Sequence, residues 1–398
     1  MSLFPESTVL VLVVDSVERF KFFQRLRQVF PRSADILIVT SEPLVYLIST
    51  VRGWNTKLVT LMGQNSLLHS PDVTVSAKSS IEYLNGDFDL NMCERYIASF
   101  VQKFSRVDQI DKIVVWNGQQ VVGRAVSLYA AKNKVDVIYL ELSNLPNKIF
   151  SDGLGVNANS SLYSDQTIID RLEDVGEKKH ALWCDYYFEQ KKKVLPQANK
   201  SFSDVGLSAL NALFKNMYAS VLSHSMANLK AKKSNVVNSG EVFDQVKPGS
   251  YVFLPLQVST DTQIKLHSDF DNVAAIKYSM TYASANSLNL VVKVHPAEKS
   301  QAELDEVYRI KEELAFQISN DNTNELIAGS ESVITINSTV GLEAMIMKKP
   351  VKTLGRAFYS EFDQVRLRKY IHSFLVDGAD YFSDDTLSID VAKKVLKL

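Results

Sequence analysis

The sequence predicts an α/β protein made of two Rossmann-like domains facing a cleft, with a helical insert between them. Short apolar runs alternate with amphipathic stretches from Thr8 to Leu142, the rhythm lapses between residues 165 and 245, and it resumes at Tyr251. The length of 398 residues exceeds what one hydrophobic core usually fills, so two cores are expected.

The first domain reads VLVLVVD, VERFKFFQRLRQVF, ADILIVT, PLVYLISTV and KLVTL, a βαβαβ order. Continuous Val/Ile/Leu runs suit parallel strands buried on both faces. A loop-like stretch near residues 64 to 90 intervenes before helix-like CERYIASFVQKF, strand-like KIVVWNG, helix-like VVGRAVSLYAAKN and strand-like VDVIYLEL. Residues 165 to 245 are rich in Lys, Tyr, Ser and Asn and hold helical candidates, including LSALNALFKNMYASVLSHSMANL. The second domain follows as YVFLPLQ, DNVAAIKYSMTYAS, NLVVKVHP, ELDEVYRIKEELA, NELIAGS, SVITINST, VGLEAMIMKK and PVKTLG. The expected boundaries are 1–165, 166–245 and 246–398, with the terminal IDVAKKVLKL a helix that crosses back to the first domain.

Composition narrows the function classes. The 44 Lys and Arg nearly balance the 45 Asp and Glu, which argues against nucleic acid as partner. Cys93 and Cys184 are the only cysteines and form no C-x-x-C pair, so neither a disulfide framework nor a zinc cage is expected, and a reducing compartment fits. The Val9 to Val14 run lacks a basic flank and falls far short of the ~20 apolar residues of a membrane span. A cytoplasmic protein is expected, attached at most to a membrane surface. Lysine stretches at 191 to 193 and 230 to 233 suit an anionic surface, and they equally suit solvated helix faces.

Ligands of open α/β folds bind where strands end, so polar residues there are the candidates. After VVKV come His295 and Pro296, with Lys293 on the strand; the imidazole suits a phosphate contact or proton donation to a leaving phosphate. In TINSTVGLEAM a strand is expected to end at Asn337, and Ser338 and Thr339 open an apolar helix whose unpaired N–H groups favour an anion. Ordinary helix capping explains the same pair. Gln257 and Asp261 follow YVFLP; Asp261 suits a nucleophile, a base or a helix N-cap. Glu141 ends the strand VIYLEL, a position for an acid/base carboxylate facing the cleft, and Asp152, Asn157 and Asn159 lie in the loop beyond it.

In order and spacing, Glu141 with SNLP, then DGLGVNANSS, LQVSTDTQI with HSDFDNV, KVHP and TINSTVG resemble bacterial capsule polysaccharide synthesis β-Kdo transferases. The likeness is to the single-module type that starts the capsule lipid linker, related to bacterial sialyltransferases. It covers roughly residues 135 to 165 and 250 to 360. The resemblance implies a GT-B-like fold and transfer of Kdo from CMP-β-Kdo with retention. It implies Asp261 as nucleophile and Glu141 as acid/base. His295, Ser338 and Thr339 would hold the CMP phosphate, assisted by Lys293, with no metal or other cofactor. Many relatives carry Gly two residues after the glutamate, where Ser143 stands here. The acceptor would be a saccharide or a lipid-linked acceptor, which in the capsule relatives is a lysophosphatidylglycerol-type lipid or a Kdo chain on it, with peripheral contact to the inner membrane or to assembly proteins. A CMP-sialic acid transferase and a non-catalytic capsule assembly or export module are the alternatives.

Overall fold

The computed structural model describes residues 9–62, 70–191, 211 and 247–398. They fall into two compact units, Met1–Ser161 with Leu172–Ser225 and Tyr370–Leu398, and Leu162–Arg171 with Met226–Lys369. In chain order the strands are β1 (Leu10–Val14), β2 (Ile36–Thr40), β3 (Thr56–Leu58), β4 (Lys112–Trp116), β5 (Asp136–Leu142) and β6 (Lys148–Asp152). β7 (Tyr251–Pro255), β8 (Asn289–Lys293), β9 (Gln317–Ile318), β10 (Ser332–Thr335) and β11 (Val351–Thr353) follow, and β12 (Val376–Asp377) comes last.

The first unit's sheet has the order β12-β6-β5-β4-β1-β2-β3. β6 alone runs against its neighbours. Every residue of β1 and β2 is buried, as unbroken apolar runs covered on both faces require. The helix Val17–Gln28 is capped by the Ser16 side chain and buries Phe20, Phe22, Phe23 and Leu26. The same core takes Ala392, Val395 and Leu396 from the terminal helix Ile389–Leu396. The returning segment is pinned by Arg25, which donates to the carbonyls of Asp380 and Asp385, and by Ser151 Oγ, which donates to Val395 O at 2.7 Å.

The second unit's sheet is parallel throughout, ordered β11-β10-β7-β8-β9. Its core joins Val252 and Leu254 of β7 and Val292 of β8 to Ile276 and Ala283 of the helix Asn272–Ala285, and to Val307 and Ile310 of Gln301–Leu314. Two Rossmann-like units of this kind are the components of a GT-B-like fold.

Three expectations need correction. The stretch read as a loop near residues 64 to 90 contains the helices Pro71–Lys78 and Ile81–Leu84, because Pro71 starts a turn that buries Val73, Ala77 and Ile81. The strand expected to reach Asn337 stops at Thr335, where Asn337 turns its backbone N–H to a side chain instead of a neighbouring strand. Asp152, expected in the loop beyond Glu141, instead ends the strand β6, which with β12 adds an edge that no apolar run announced. Within the helical insert, Thr167–Asp170 and Glu177–Lys191 are helices. The candidate helix over 207–229 lies outside the described residues apart from Asn211, as do Lys192, Lys193, Lys230, Lys232 and Lys233. No helix among the described residues is long and apolar enough to cross a membrane.

Candidate functional site

In the second unit β10, β7 and β8 are consecutive and parallel, so their carboxyl ends open on one edge of the sheet. That edge carries the three expected segments. Gln257 and Asn337 cross-link two of them: Gln257 Nε2 donates to Asn337 Oδ1 at 3.0 Å, and Asn337 N donates to Gln257 Oε1 at 3.1 Å. Asn337 Nδ2 donates to the carbonyls of Gln263 and His267, and Asn272 brackets the Gln257 backbone with two bonds. Both side chains are buried, and their amides hold the strand ends in place.

Asp261 caps the short helix Thr262–His267, its Oδ1 accepting from Gln263 N at 2.8 Å and from Thr262 Oγ1 at 3.2 Å. Oδ2 accepts no hydrogen bond among the described residues. His295 stands close enough for the Asp261 charge to act on its ring. Ala297 N donates to His295 Nδ1 at 3.1 Å, so the neutral ring carries its proton on Nε2. Desolvation draws the His295 pKa below its ordinary value against the pull of Asp261 and Glu298, which favours that neutral form. Lys293 donates to the Asp321 carbonyl at 2.5 Å, and Pro296 is exposed.

Ser338 Oγ accepts from Val340 N at 3.2 Å, and the Ser338 carbonyl accepts from the Tyr359 hydroxyl. Gly341 admits that ring: a Cβ there would stand 2.5 Å from Tyr359 Oη. Thr339 occupies the N-cap of the helix Val340–Ile346 with helical backbone.

In the first unit Glu141 lies on β5 and accepts from Asn117 Nδ2 and, at 2.9 Å, from its neighbour Leu142 N. Asn117 and Gly118 both have positive φ, turning the chain sharply after β4; at Gly118 a Cβ would also strike the Tyr139 ring at 2.6 Å. Ser143, where many relatives have Gly, is buried and closes the β5–β6 turn by donating to Lys148 O at 2.8 Å. Asp152 is wholly buried. Its Oδ1 accepts from the backbone of Leu154, Gly155 and Ser161, and its Oδ2 from the Ser161 hydroxyl. It therefore shapes the loop bearing Asn157 and Asn159, which form a 3₁₀ turn with Asn157 at positive φ.

Sequence reasoning missed two groups. Glu298 ties the loop after β8 to the loop after β7 by accepting from Ser259 N at 2.7 Å, and it also accepts from Lys299 and Ser300 N. Burial opposes its charge, but these backbone N–H donors prevail and hold its pKa below the ordinary value. Its signal was the acidic residue in KVHPAE, three positions past His295. The other group is Asp15, Arg19 and Tyr381 in the first unit. Asp15 stood in the sequence at the end of the run VLVLVVD, whereas Tyr381 reaches the site only through the returning C-terminal segment.

The capsule polysaccharide biosynthesis protein family model matches residues 111–363, and the chain belongs to that family. Its curated relatives include the Escherichia coli capsule polysaccharide export protein KpsS, 29% identical over 135 residues covering 31% of this chain and 34% of that protein. Protein FixF of Sinorhizobium fredii is 36% identical over 123 residues, covering 30% and 29%. The chain thus matches about a third of the length of these relatives. Among solved structures, the β-Kdo 2,7 transferase KpsC of Thermosulfurimonas dismutans aligns over 93% of this chain and 92% of its own at 13% identity, with a TM-score of 0.44.

Proposed function

We propose that this protein is a glycosyltransferase of bacterial surface polysaccharide synthesis that moves β-Kdo from CMP-β-Kdo to a saccharide or glycolipid acceptor with retention. The observation that carries the reading is the second sheet's edge, where three adjoining strands end in Asp261, His295 and the Ser338-Thr339 pair. Membership of the capsule polysaccharide biosynthesis family supports a role in that pathway.

In this reading Asp261 Oδ2 attacks the anomeric carbon of Kdo, and the bond to the CMP phosphate oxygen breaks with its electron pair leaving on CMP. His295 Nε2–H, with Ser338 and Thr339 and assisted by Lys293, stabilises the departing phosphate in place of a metal, while Gln257 and Asn337 hold the strand ends that present them and Pro296 fixes the backbone that aims His295. The acceptor hydroxyl then attacks the same carbon from the opposite face, Asp261 departs, and Glu141 takes the hydroxyl proton. Two inversions give net retention. Asn157 and Asn159 are proposed to meet the sugar or acceptor, from the loop that Asp152 shapes. The site of action is proposed to be the cytoplasmic face of the inner membrane.

A second reading, a non-catalytic export or assembly module, draws on the name of the E. coli relative. Incubating the protein with CMP-Kdo or CMP-Neu5Ac separates the possibilities. CMP release and sugar transfer from CMP-Kdo are expected, with a covalent sugar adduct in the intact mass when acceptor is omitted. Asp261→Asn should lower turnover by at least ~10³-fold while CMP binding persists. Exclusive use of CMP-Neu5Ac, or near-normal turnover in the variant, would overturn the donor or the nucleophile assignment respectively. No CMP release from either donor would favour the export module.

A further inference from the structure

The turn that follows β4 carries one side-chain amide to Glu141. Trp116 pairs in register with Leu140, so the next residue of each strand, Asn117 and Glu141, stand side by side. Asn117 has φ +64° and Gly118 φ +81°, two consecutive left-handed residues. Asn117 N donates to Leu140 O at 2.8 Å, and Gly118 N donates to Trp116 O at 2.7 Å. The helix Val121–Asn133 presses on the same turn, since a Cβ on Gly123 would lie 2.4 Å from Gly118 Cα. The turn is thereby clamped between β5 and a helix. A glycine at 117 would enter the left-handed conformation without strain, so what asparagine adds there is its amide.

That amide has one orientation. Asn117 Oδ1 accepts from Gln119 N at 3.2 Å, which leaves Nδ2 as the end that faces Glu141 and donates to its Oε2. The reverse orientation would set an oxygen against the carboxylate and an amide NH₂ against the Gln119 N–H. Glu141 Oε1 accepts from Leu142 N at 2.9 Å, so each carboxylate oxygen receives an N–H. Hydrogen bonds of this kind favour the ionised carboxylate.

The surroundings pull the other way. Asp15, Glu18 and Arg19 act together with Glu141 on the Tyr381 hydroxyl, so Glu141 shares its corner with two other carboxylates and one guanidinium. Arg19 is already paired with Asp15. A local excess of negative charge disfavours a further ionised carboxylate, and a fixed N–H donor on that carboxylate offsets the effect.

We propose that Asn117 is the positioning residue of Glu141, its amide fixing one carboxylate oxygen and holding the group ionised to receive the proton of the attacking hydroxyl. The source of that proton rests on the transferase reading, whereas the coupling of the two side chains does not.

The first measurement therefore uses no donor. With glutamate labelled by ¹³C at Cδ, the Glu141 resonance is the one missing from Glu141→Gln, and its titration is compared in wild type, Asn117→Gly and Asn117→Asp. Asn117→Gly keeps the turn and deletes the amide. Asn117→Asp keeps an acceptor for Gln119 N and sets a carboxylate against Glu141. Both should raise the proton affinity of Glu141, by about tenfold for the glycine and by more for the aspartate, and either suffices if the other fails to fold. An unchanged titration in the folded variants would overturn the proposal. The second measurement follows the covalent sugar adduct by intact mass after incubation with CMP-Kdo and no acceptor. Water then takes the acceptor's place: its oxygen attacks the anomeric carbon, the bond to Asp261 breaks, and Glu141 takes the proton. Discharge of the adduct should slow as pH falls, and in Asn117→Gly that decline should begin about one pH unit higher than in wild type, with the rate of adduct formation unchanged. A decline at the same pH, or a slowing equal at every pH as a merely structural loss would give, overturns the role. A wild-type protein that forms no adduct would sink the transferase reading, and the titration would still decide whether Asn117 governs Glu141.

Discussion

Acid should destabilise the first unit through His372, and replacing that residue by Gln should remove this part of the pH dependence. His372 Nε2 lies 3.2 Å from His180 Nδ1, one hydrogen shared between two imidazoles, and Trp183 packs edge-on to His372 at 5.5 Å. Burial pulls the His372 pKa down to about 4 from its ordinary 6.5; Lys148, His180 and Lys179 add to the drop, and Asp377 opposes it. Because the folded value is depressed, the unfolded chain binds more protons between pH 6.5 and 4, so stability is present above that window and is lost as pH falls through it. At ~1.4 kcal/mol per pKa unit, going from pH 7 to pH 4.5 removes on the order of 2 kcal/mol, allowing for solvent screening of a partly exposed ring.

Urea unfolding followed by tryptophan fluorescence suits the measurement, because Trp54, Trp116 and Trp183 all lie in the first unit. At a slope of ~2 kcal/mol per molar, the wild-type midpoint should fall by roughly 1 M more than that of His372→Gln over this pH range. Titrating groups outside the His372–His180 pair contribute nearly equally to both proteins and cancel in the difference. Parallel pH dependence in the two proteins would refute the reasoning.

Glu82 supplies the opposite sign: burial raises its pKa to about 7, so its contribution is present below pH 4.5 and is lost as pH rises through 7. Glu82→Gln should therefore raise the wild-type urea midpoint at pH 8 but not at pH 4.5, and an equal effect at both would refute the assignment. In the second unit Asn337→Ala strands the buried Gln257 amide and two carbonyls, and should cost about 2–3 kcal/mol. Circular dichroism melts should register that loss, while an effect under about 0.5 kcal/mol would show that the cross-link does not hold the edge.

Legibility in the sequence followed the range of the interactions. β1, β2, β4, β5, β7 and β8 were readable because burial on both faces demands unbroken apolar runs. β6 has only Ile149 and Phe150 as apolar residues in KIFSD, and β12 is two residues long, so neither leaves a periodic trace. The helices at 71–84 were present as Ser-Pro followed by Val73, Ala77 and Ile81 at four-residue spacing, a pattern hidden by the polar residues between. At the candidate site, strand-end positions were legible and partners were not. Gln257 and Asn337 are 80 residues apart and Arg19 meets Gln120 across 101, separations at which only the sheet order brings side chains together.

Those partners divide the polar residues of each sheet edge into two kinds. In the second unit Gln257 and Asn337 use their amides on one another, and Glu298 accepts three backbone N–H groups, which fixes the loops from which Asp261 Oδ2 and His295 Nε2 emerge. In the first unit Asn117 donates to Glu141, and Asp15 and Gln120 engage one nitrogen of Arg19 while the other two keep their hydrogens. In the second unit, the groups with incomplete hydrogen bonding stand on loops whose supporting side chains are satisfied. Such an edge is costly to leave without a ligand and needs little reorganisation to accept one. On that ground a substitution in the supporting set, such as Asn337→Ala, should weaken CMP binding as well as stability, whereas Asp261→Asn should leave CMP binding intact.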